Sequence, residues 1–511
     1  MGVSLVVLLV SAATFALIGI SQAGRKAIDL EDYMVSRNQV GGPMALATVT
    51  ASALGAWILF SPVEAGSAPG YGGIAAVLGY CLGSAAAVFM FVFVGPRLRQ
   101  VMPWGHSLNE YVRHRFGAQT NTLANALGDR SIQTPQKNIW GQAMYWLTVL
   151  VMLLYMFVYL SAELTAIAQT LEIVAGVPVL TTAIVVITAV FLYTAYGGLK
   201  VTILTDAFQF ALIVPLLLIC FVITLVLLGG IGPAFAPVAE KLPEMLSLGN
   251  IGGLRFGATL IIAIVAAELF NQGNWQRVFA CRDDQTVRRS FLGSSLVILP
   301  LIFLSGLLGL VAAGNELTGA TAFFELLQAL PIPGWLPGAV VLLAVALVMS
   351  SLDTLLNGIS AVFTVDLLRL TNQPNQVLLI SRILTVVVGG LAVAIAAQKF
   401  SVLYLFFIAD LFCAGLLVPI IFSFYRRYQS AANAFCSSAI GIFVGALFFP
   451  TPEFAPLVNI PGGGDLLNSF AAALVTSTLI TFLWCYIDTT FRHEKVTAFN
   501  YGALQRVKPY S

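Results

Sequence analysis

Charge is what this sequence has least of. Only 9% of its 511 residues are Asp, Glu, Lys or Arg, against about 25% in an average soluble domain. A large water-soluble core is therefore excluded as the main architecture. Cysteine is scarce too. The six, at positions 81, 220, 281, 413, 436 and 485, are scattered and form no C-x-x-C pair, so neither a disulfide framework nor a thiolate metal site is indicated. The three histidines, His106, His114 and His493, fall between apolar runs and make no metal or catalytic constellation. No Ser-His-Asp set, phosphate-binding loop or basic patch interleaved with aromatics is visible, and the net charge is only +2. Nothing argues for an enzyme or a nucleic-acid partner.

What remains is hydrocarbon. Hydrophobic residues make up 59% of the chain, in runs of about 20, the length a helix needs to cross a bilayer. The runs are too long and too uniform for the alternating strands of a membrane barrel. An all-α polytopic membrane protein of about 13 transmembrane helices is expected, forming one domain over residues 1–511. The first run, 2–22, ends in "SQAG", which loosely resembles a signal-peptidase site, but no basic residue precedes it; it reads as a first spanning helix. With the N-terminus outside, all of the 25 Lys and Arg except Lys241, Arg255 and Lys399 fall on the cytoplasmic side, as the positive-inside rule requires. The C-terminus is then cytoplasmic, in a cell or inner membrane. The basic loop 96–140, with its amphipathic "SLNEYVRHRFG", is expected to lie on the cytoplasmic face.

Six acids stand within or near the apolar runs: Glu64, Glu163, Asp206, Glu268, Asp353 and Asp410. No Lys or Arg is expected at comparable depth. Unpaired and ionised, the six would cost about 15–20 kcal/mol on insertion scales, more than the net stability of a typical domain. They face aqueous cavities, cap helices, carry protons, or meet a cation the chain does not supply.

Two runs look interrupted. "TVTASALGAWILFSPVEAG" (48–66) mixes small residues with Gly55 and Pro62, and "AAELFNQGNWQR" (266–277) sets Glu268, Asn271, Gln272 and Gly273 inside an apolar span. Each begins a set of five helices, about 43–229 and 256–424, leaving 2–22, 433–449 and 466–488 peripheral. Paired broken segments at corresponding positions point to an inverted-repeat transporter and to its binding site. Ser350 and Ser351 then gain a second reading. They either bond back to the preceding turn, as serines in membrane helices do, or offer hydroxyls to a hard cation together with carbonyls from a broken helix.

Three segments carry a family resemblance. "VMSSLDTLLNGISAVFTVDL" (348–367), "YTAYGGLKVTILTDAFQF" (193–210) and "NQGNWQRVFACRD" (271–283) resemble motifs of the sodium:solute symporter family, in collinear order from about residue 30 to 430. The resemblance implies a LeuT-type core of five plus five helices and Na⁺-driven uptake of a small solute by alternating access. Carried over by position, it implies Na⁺ ligands at the carbonyls of Ala51, Leu54 and Leu347 and the hydroxyls of Ser350 and Ser351, with Asp206 on the ion's exit path. Solute-binding positions would be Trp57, Glu268 and Asp410, with Glu64 and Glu163 nearby. Leu54, or Ala53 one earlier, stands where some members carry a carboxylate or amide, and Ala267 where an aromatic gate is expected, which disfavours a sugar. The acids suggest a positive or donor-rich nitrogenous solute: an amino acid such as proline, an amine, or a urea-like amide. Coupling to H⁺ through Asp206 or Asp353 is the alternative, and a non-transporting sensor a more distant one.

Overall fold

The computed structural model describes residues 2–22, 30–117, 138–367, 374–452, 455–491 and 498–506. His493 and part of the basic loop, 118–137, lie outside the described residues. Among the described residues the secondary structure is helical, apart from two isolated bridges. In hydrocarbon every backbone polar group must bond within its own segment, which selects helices. Hydroxyl side chains follow the same rule: Thr148, Thr165 and Thr224 each donate to the carbonyl four residues back. All six cysteines are free.

Chain order begins with α1 (Gly2–Gln22), a short α2 (Leu30–Met34), α3 (Gly42–Ala53) and α4 (Ser61–Ser67). There follow α5 (Ile74–Val101), α6 (Leu108–Gly117) and α7 (Ile139–Ala175). Next come α8 (Val179–Ala195) and α9 (Gly197–Leu227). These two join at Gly198, whose φ of 55° suits a residue without a side chain; a Cβ there would also strike the Tyr33 carbonyl at 2.5 Å. The second half holds α10 (Ile231–Lys241), α11 (Ile251–Glu268), α12 (Gln272–Ala280), α13 (Asp284–Gly314) and α14 (Ala322–Ala329). It ends with α15 (Leu336–Val362), α16 (Pro374–Ala396), α17 (Val402–Tyr425), α18 (Ala431–Phe448) and α19 (Leu466–Phe491).

Among the described residues ten helices are long and apolar enough to span a bilayer, or 11 if the pair Gly42–Ala53 and Ala56–Ser67, bent by 56°, counts as one. Shorter apolar helices cover Val6–Gly19 and Val179–Ala195. Together these correspond to the apolar runs read from the sequence, so the expected count of about 13 is approximate. The span containing α15 is 89% buried, against 28% for α9; α15 is the central post, and α9 turns much of its surface outward. The post packs on α9, α7, α1 and α3, while α17 packs on α7, α11, α18 and α19.

The amphipathic helix in the basic loop does not lie on the surface. Leu108, Asn109, Glu110, Tyr111, Val112, Arg115 and Phe116 of α6 are buried, and the helix packs on α7. Its polar face meets protein: Tyr111 donates to the Ser423 carbonyl, and Arg115 to the carbonyls of Arg426 and Gln429. Amphipathicity alone does not distinguish a protein partner from a membrane surface.

Candidate functional site

Both interrupted runs are broken helices. In the first, α3 ends at Ala53, and Leu54 (φ −104°, ψ 105°) and Gly55 (φ −105°, ψ 178°) run extended before a 3-10 turn, Ala56–Leu59, leads into α4. The Leu54 amide still bonds back to the carbonyls of Thr50 and Ala51. The Ala56 amide instead donates to Glu163 Oε2 at 2.8 Å, across from α7. Gly55 is required by this contact, since a Cβ would lie 1.8 Å from Glu163 Oε1. Glu163 is fully buried, and its Oε1 makes no hydrogen bond among the described residues. Ser351 stands beside the carboxyl.

The second break spans Leu269–Asn271 and is satisfied locally. Asn271 Oδ1 caps α12 by accepting from the Gly273 amide at 3.0 Å. The Trp275 indole donates to the Leu269 carbonyl at 2.7 Å, and Asn274 to that of Glu268 at 3.3 Å.

The five oxygens expected to hold Na⁺ come from α3, its break and α15, all in buried residues. Ser351 Oγ donates back to the carbonyls of Leu347 and Val348, at 3.2 and 3.1 Å. Ser350 Oγ donates to Asp206 Oδ1 at 2.5 Å. Asp206 therefore touches one serine of the pair, Ser350, directly. It also accepts from Thr48 at 2.5 Å and from Arg277 at 2.6 Å.

Arg277 corrects the expectation that no base lies as deep as the acids. It is 1% exposed and donates to Asp206, Thr354 Oγ1, the Gly273 carbonyl and Thr48 Oγ1. Position near a basic loop concealed it: the polar second limb of a broken helix, α12, carries the guanidinium inward. Asp353, one turn from Ser350, accepts from Tyr193 at 2.8 Å and Thr205 at 3.3 Å.

Beside the first break opens a cavity with about 600 Å³ of empty space, counting its mouth. Trp57, Glu268 and Asp410 line it; Glu64 and Glu163 do not. Glu64 instead accepts from Ser401 at 3.2 Å. Sequence reasoning missed the cavity's aromatic walls, Tyr80, Tyr155, Tyr159, Phe406 and Phe407. A signal for part of them was present, because Tyr155, Tyr159 and Glu163 recur every four residues and so share one face of α7. Trp57 stacks on Tyr80 with centroids 5.7 Å apart and donates to the Tyr159 hydroxyl at 3.1 Å. Glu268, half-buried, accepts from Tyr155, Asn271 and Asn274. Asp410 is 4% exposed, and its Oδ1 has no hydrogen-bond partner among the described residues. Among the described residues, no Lys, Arg or His lines the cavity.

Away from the spans, the sequence also hid a charged cluster. The His106 ring sits between Glu31 at 2.5 Å and Glu110 at 3.0 Å. Burial alone would lower its pKa, but hydrogen bonds and charge from Glu110 and Glu31 outweigh that and raise it to about 9. The His106 carbonyl accepts from Gln272 at 2.7 Å, tying this cluster to the start of α12.

Known proteins frame this geometry. The family model described as the sodium:solute symporter family matches residues 136–441. A spermidine transporter of Candida albicans is 26% identical, over 93% of this chain and 88% of its own length. The sodium/proline symporter of Escherichia coli is 24% identical, over 74% and 73%. A substrate-bound, outward-open Na⁺-coupled sialic acid symporter superposes with a TM-score of 0.72 at 16% identity, covering 95% of this chain and 98% of that one; this likeness shows a shared LeuT-type fold. These neighbours are transporters, not enzymes.

Proposed function

Because the chain belongs to the sodium:solute symporter family, we propose that it couples inward Na⁺ movement to uptake of a small organic cation, an amine, by alternating access. The supporting observation is the cavity: two carboxyls, Glu268 and Asp410, converge on aromatic walls with no base among the lining residues. An ammonium group fits such a site through charge and through attraction to the ring faces. A sugar would meet the two carboxyls with neutral hydroxyls and leave their charge uncompensated. The spermidine transporter, similar over most of both chains, supports an amine over the proline taken by other relatives.

In this reading Na⁺ is held by the carbonyls of Ala51, Leu54 and Leu347 and the hydroxyls of Ser350 and Ser351, and Asp206 receives it on the way to the cytoplasm. The repeats are residues 43–229 and 256–424, with the N-terminus outside and the C-terminus in the cytoplasm. Each positive charge moved inward at 100 mV contributes about 2.3 kcal/mol, so Na⁺ and an amine together respond strongly to potential. The second reading, H⁺ coupling, draws on Ser350 being already bonded to Asp206 and on Asp353 beside it.

Uptake into proteoliposomes at fixed pH separates the two. Na⁺-dependent uptake is expected, and Ser351→Ala should raise the Na⁺ needed for half-activation about tenfold, or 1.4 kcal/mol. Uptake indifferent to Na⁺ but driven by a pH gradient would establish the second reading instead.

A further inference from the structure

We propose that Glu163 makes the site selective for amines that carry no carboxylate, by filling the gap in the first broken helix with a carboxyl of the protein's own. The inference rests on the amine reading above and narrows its substrate class.

In transporters built on discontinuous helices, backbone donors at the break meet anionic groups of the substrate. Here the Ala56 donor is already taken by Glu163 Oε2. The space is taken as well, because the carboxyl lies so close to Gly55 that not even a methyl group fits between them. The Ala56 amide caps one of its two oxygens, and the Ser351 hydroxyl and Trp57 amide stand beside the carboxyl. Oε1 is buried and makes no hydrogen bond among the described residues, an arrangement that costs stability unless something else retains it.

The position is adjacent to the cavity. Trp57, two residues past Gly55, lines the cavity, and so does Tyr159, one turn before Glu163 on α7. A solute carboxylate reaching from the cavity toward the break would find its donor occupied and a second carboxyl in its place. An amine with the same carbon chain needs no such donor. Glu163 thus acts as a permanent stand-in for the anionic half of an amino acid.

The test uses matched pairs that differ only by the α-carboxylate: 1,4-diaminobutane with ornithine, and 1,5-diaminopentane with lysine. Equilibrium binding is measured on the purified full chain in Na⁺, for wild type, Glu163→Ala and Glu163→Gln. In wild type each diamine should bind at least about tenfold more tightly than its amino acid. The ratio should fall toward one in Glu163→Ala, which frees the Ala56 amide, and persist in Glu163→Gln, whose amide oxygen still accepts it. Glu163→Ser serves if the alanine variant does not fold. A lowered melting temperature with an unchanged ratio would make Glu163 a structural cap only and overturn the proposal. Equal binding of both partners by wild type would overturn it while leaving the amine reading in place. Amino acids bound and diamines refused would remove both.

Discussion

The two broken helices solve one problem with different parts. At the second break, Asn271, Asn274 and Trp275 satisfy the freed backbone from within the next turn and a half. At the first, the backbone amide after the gap is satisfied by Glu163, 107 residues away. A locally capped break keeps its geometry wherever its two limbs move. A break capped from another helix is tied to that helix, and its shape depends on what α7 does. The first break is therefore the one whose chemistry can respond to ligand, and it borders both the serine pair and the cavity.

The largest effect should come from the contact that joins the two breaks. Arg277, on the second limb of the second broken helix, reaches Thr48 on the first limb of the first, as well as Asp206. Removing one partner of a buried ion pair strands the other charge, at about 3–5 kcal/mol. Arg277→Ala should therefore lower the melting temperature steeply and abolish uptake, while Asp206→Asn combined with Arg277→Gln recovers much of the stability. Additive losses in that pair would mean that Arg277 and Asp206 do not act as a coupled pair.

Gly55→Ala sharpens the comparison next. The added methyl meets Glu163 Oε1 at 1.8 Å and Trp57 Cδ1 at 2.6 Å, an overpacking that costs about 1–3 kcal/mol. Adding Glu163→Ala should restore folding, because it removes the nearer of the two obstacles. No rescue would make Trp57 the decisive obstacle, since the extended backbone at Gly55 is open to any residue.

A smaller effect is expected at the second break through pH. His106, whose carbonyl anchors Gln272, has a pKa raised from 6.5 to about 9. A raised pKa adds stability that is complete below about 6.5 and is lost as pH climbs through 9. Glu31 and Glu110, both lowered despite burial because they face His106, lose their share on acidification. Melting temperature should fall from pH 7 toward 10, and His106→Gln should flatten that slope. The same slope in both proteins would place the titration elsewhere.

Legibility followed the same division. Gly55 and Pro62, and the Asn-Gln-Gly-Asn run from 271, marked both breaks because their causes are local. Glu268 and Asp410 stood out as acids in apolar runs, and both line the cavity. Arg277 was hidden because charge counting assigns a residue near a loop to water, whereas α12 folds inward. Tyr80 and Phe406 gave no signal, since an aromatic residue facing a cavity and one facing lipid look alike in sequence. That Glu163 caps the turn after the first break, without lining the cavity, follows from a long-range contact that no spacing encodes.

The central claim is that the cavity's carboxyls receive an organic cation alongside Na⁺. Binding of radiolabelled 1,4-diaminobutane to wild type and Asp410→Asn, with and without Na⁺, tests it most directly. A charge-assisted hydrogen bond contributes about 1.5–3 kcal/mol, so the variant should bind at least about tenfold more weakly with an unchanged melting temperature, and wild type should bind more tightly in Na⁺. Equal affinity in the two proteins, with Na⁺ making no difference to either, would contradict the account.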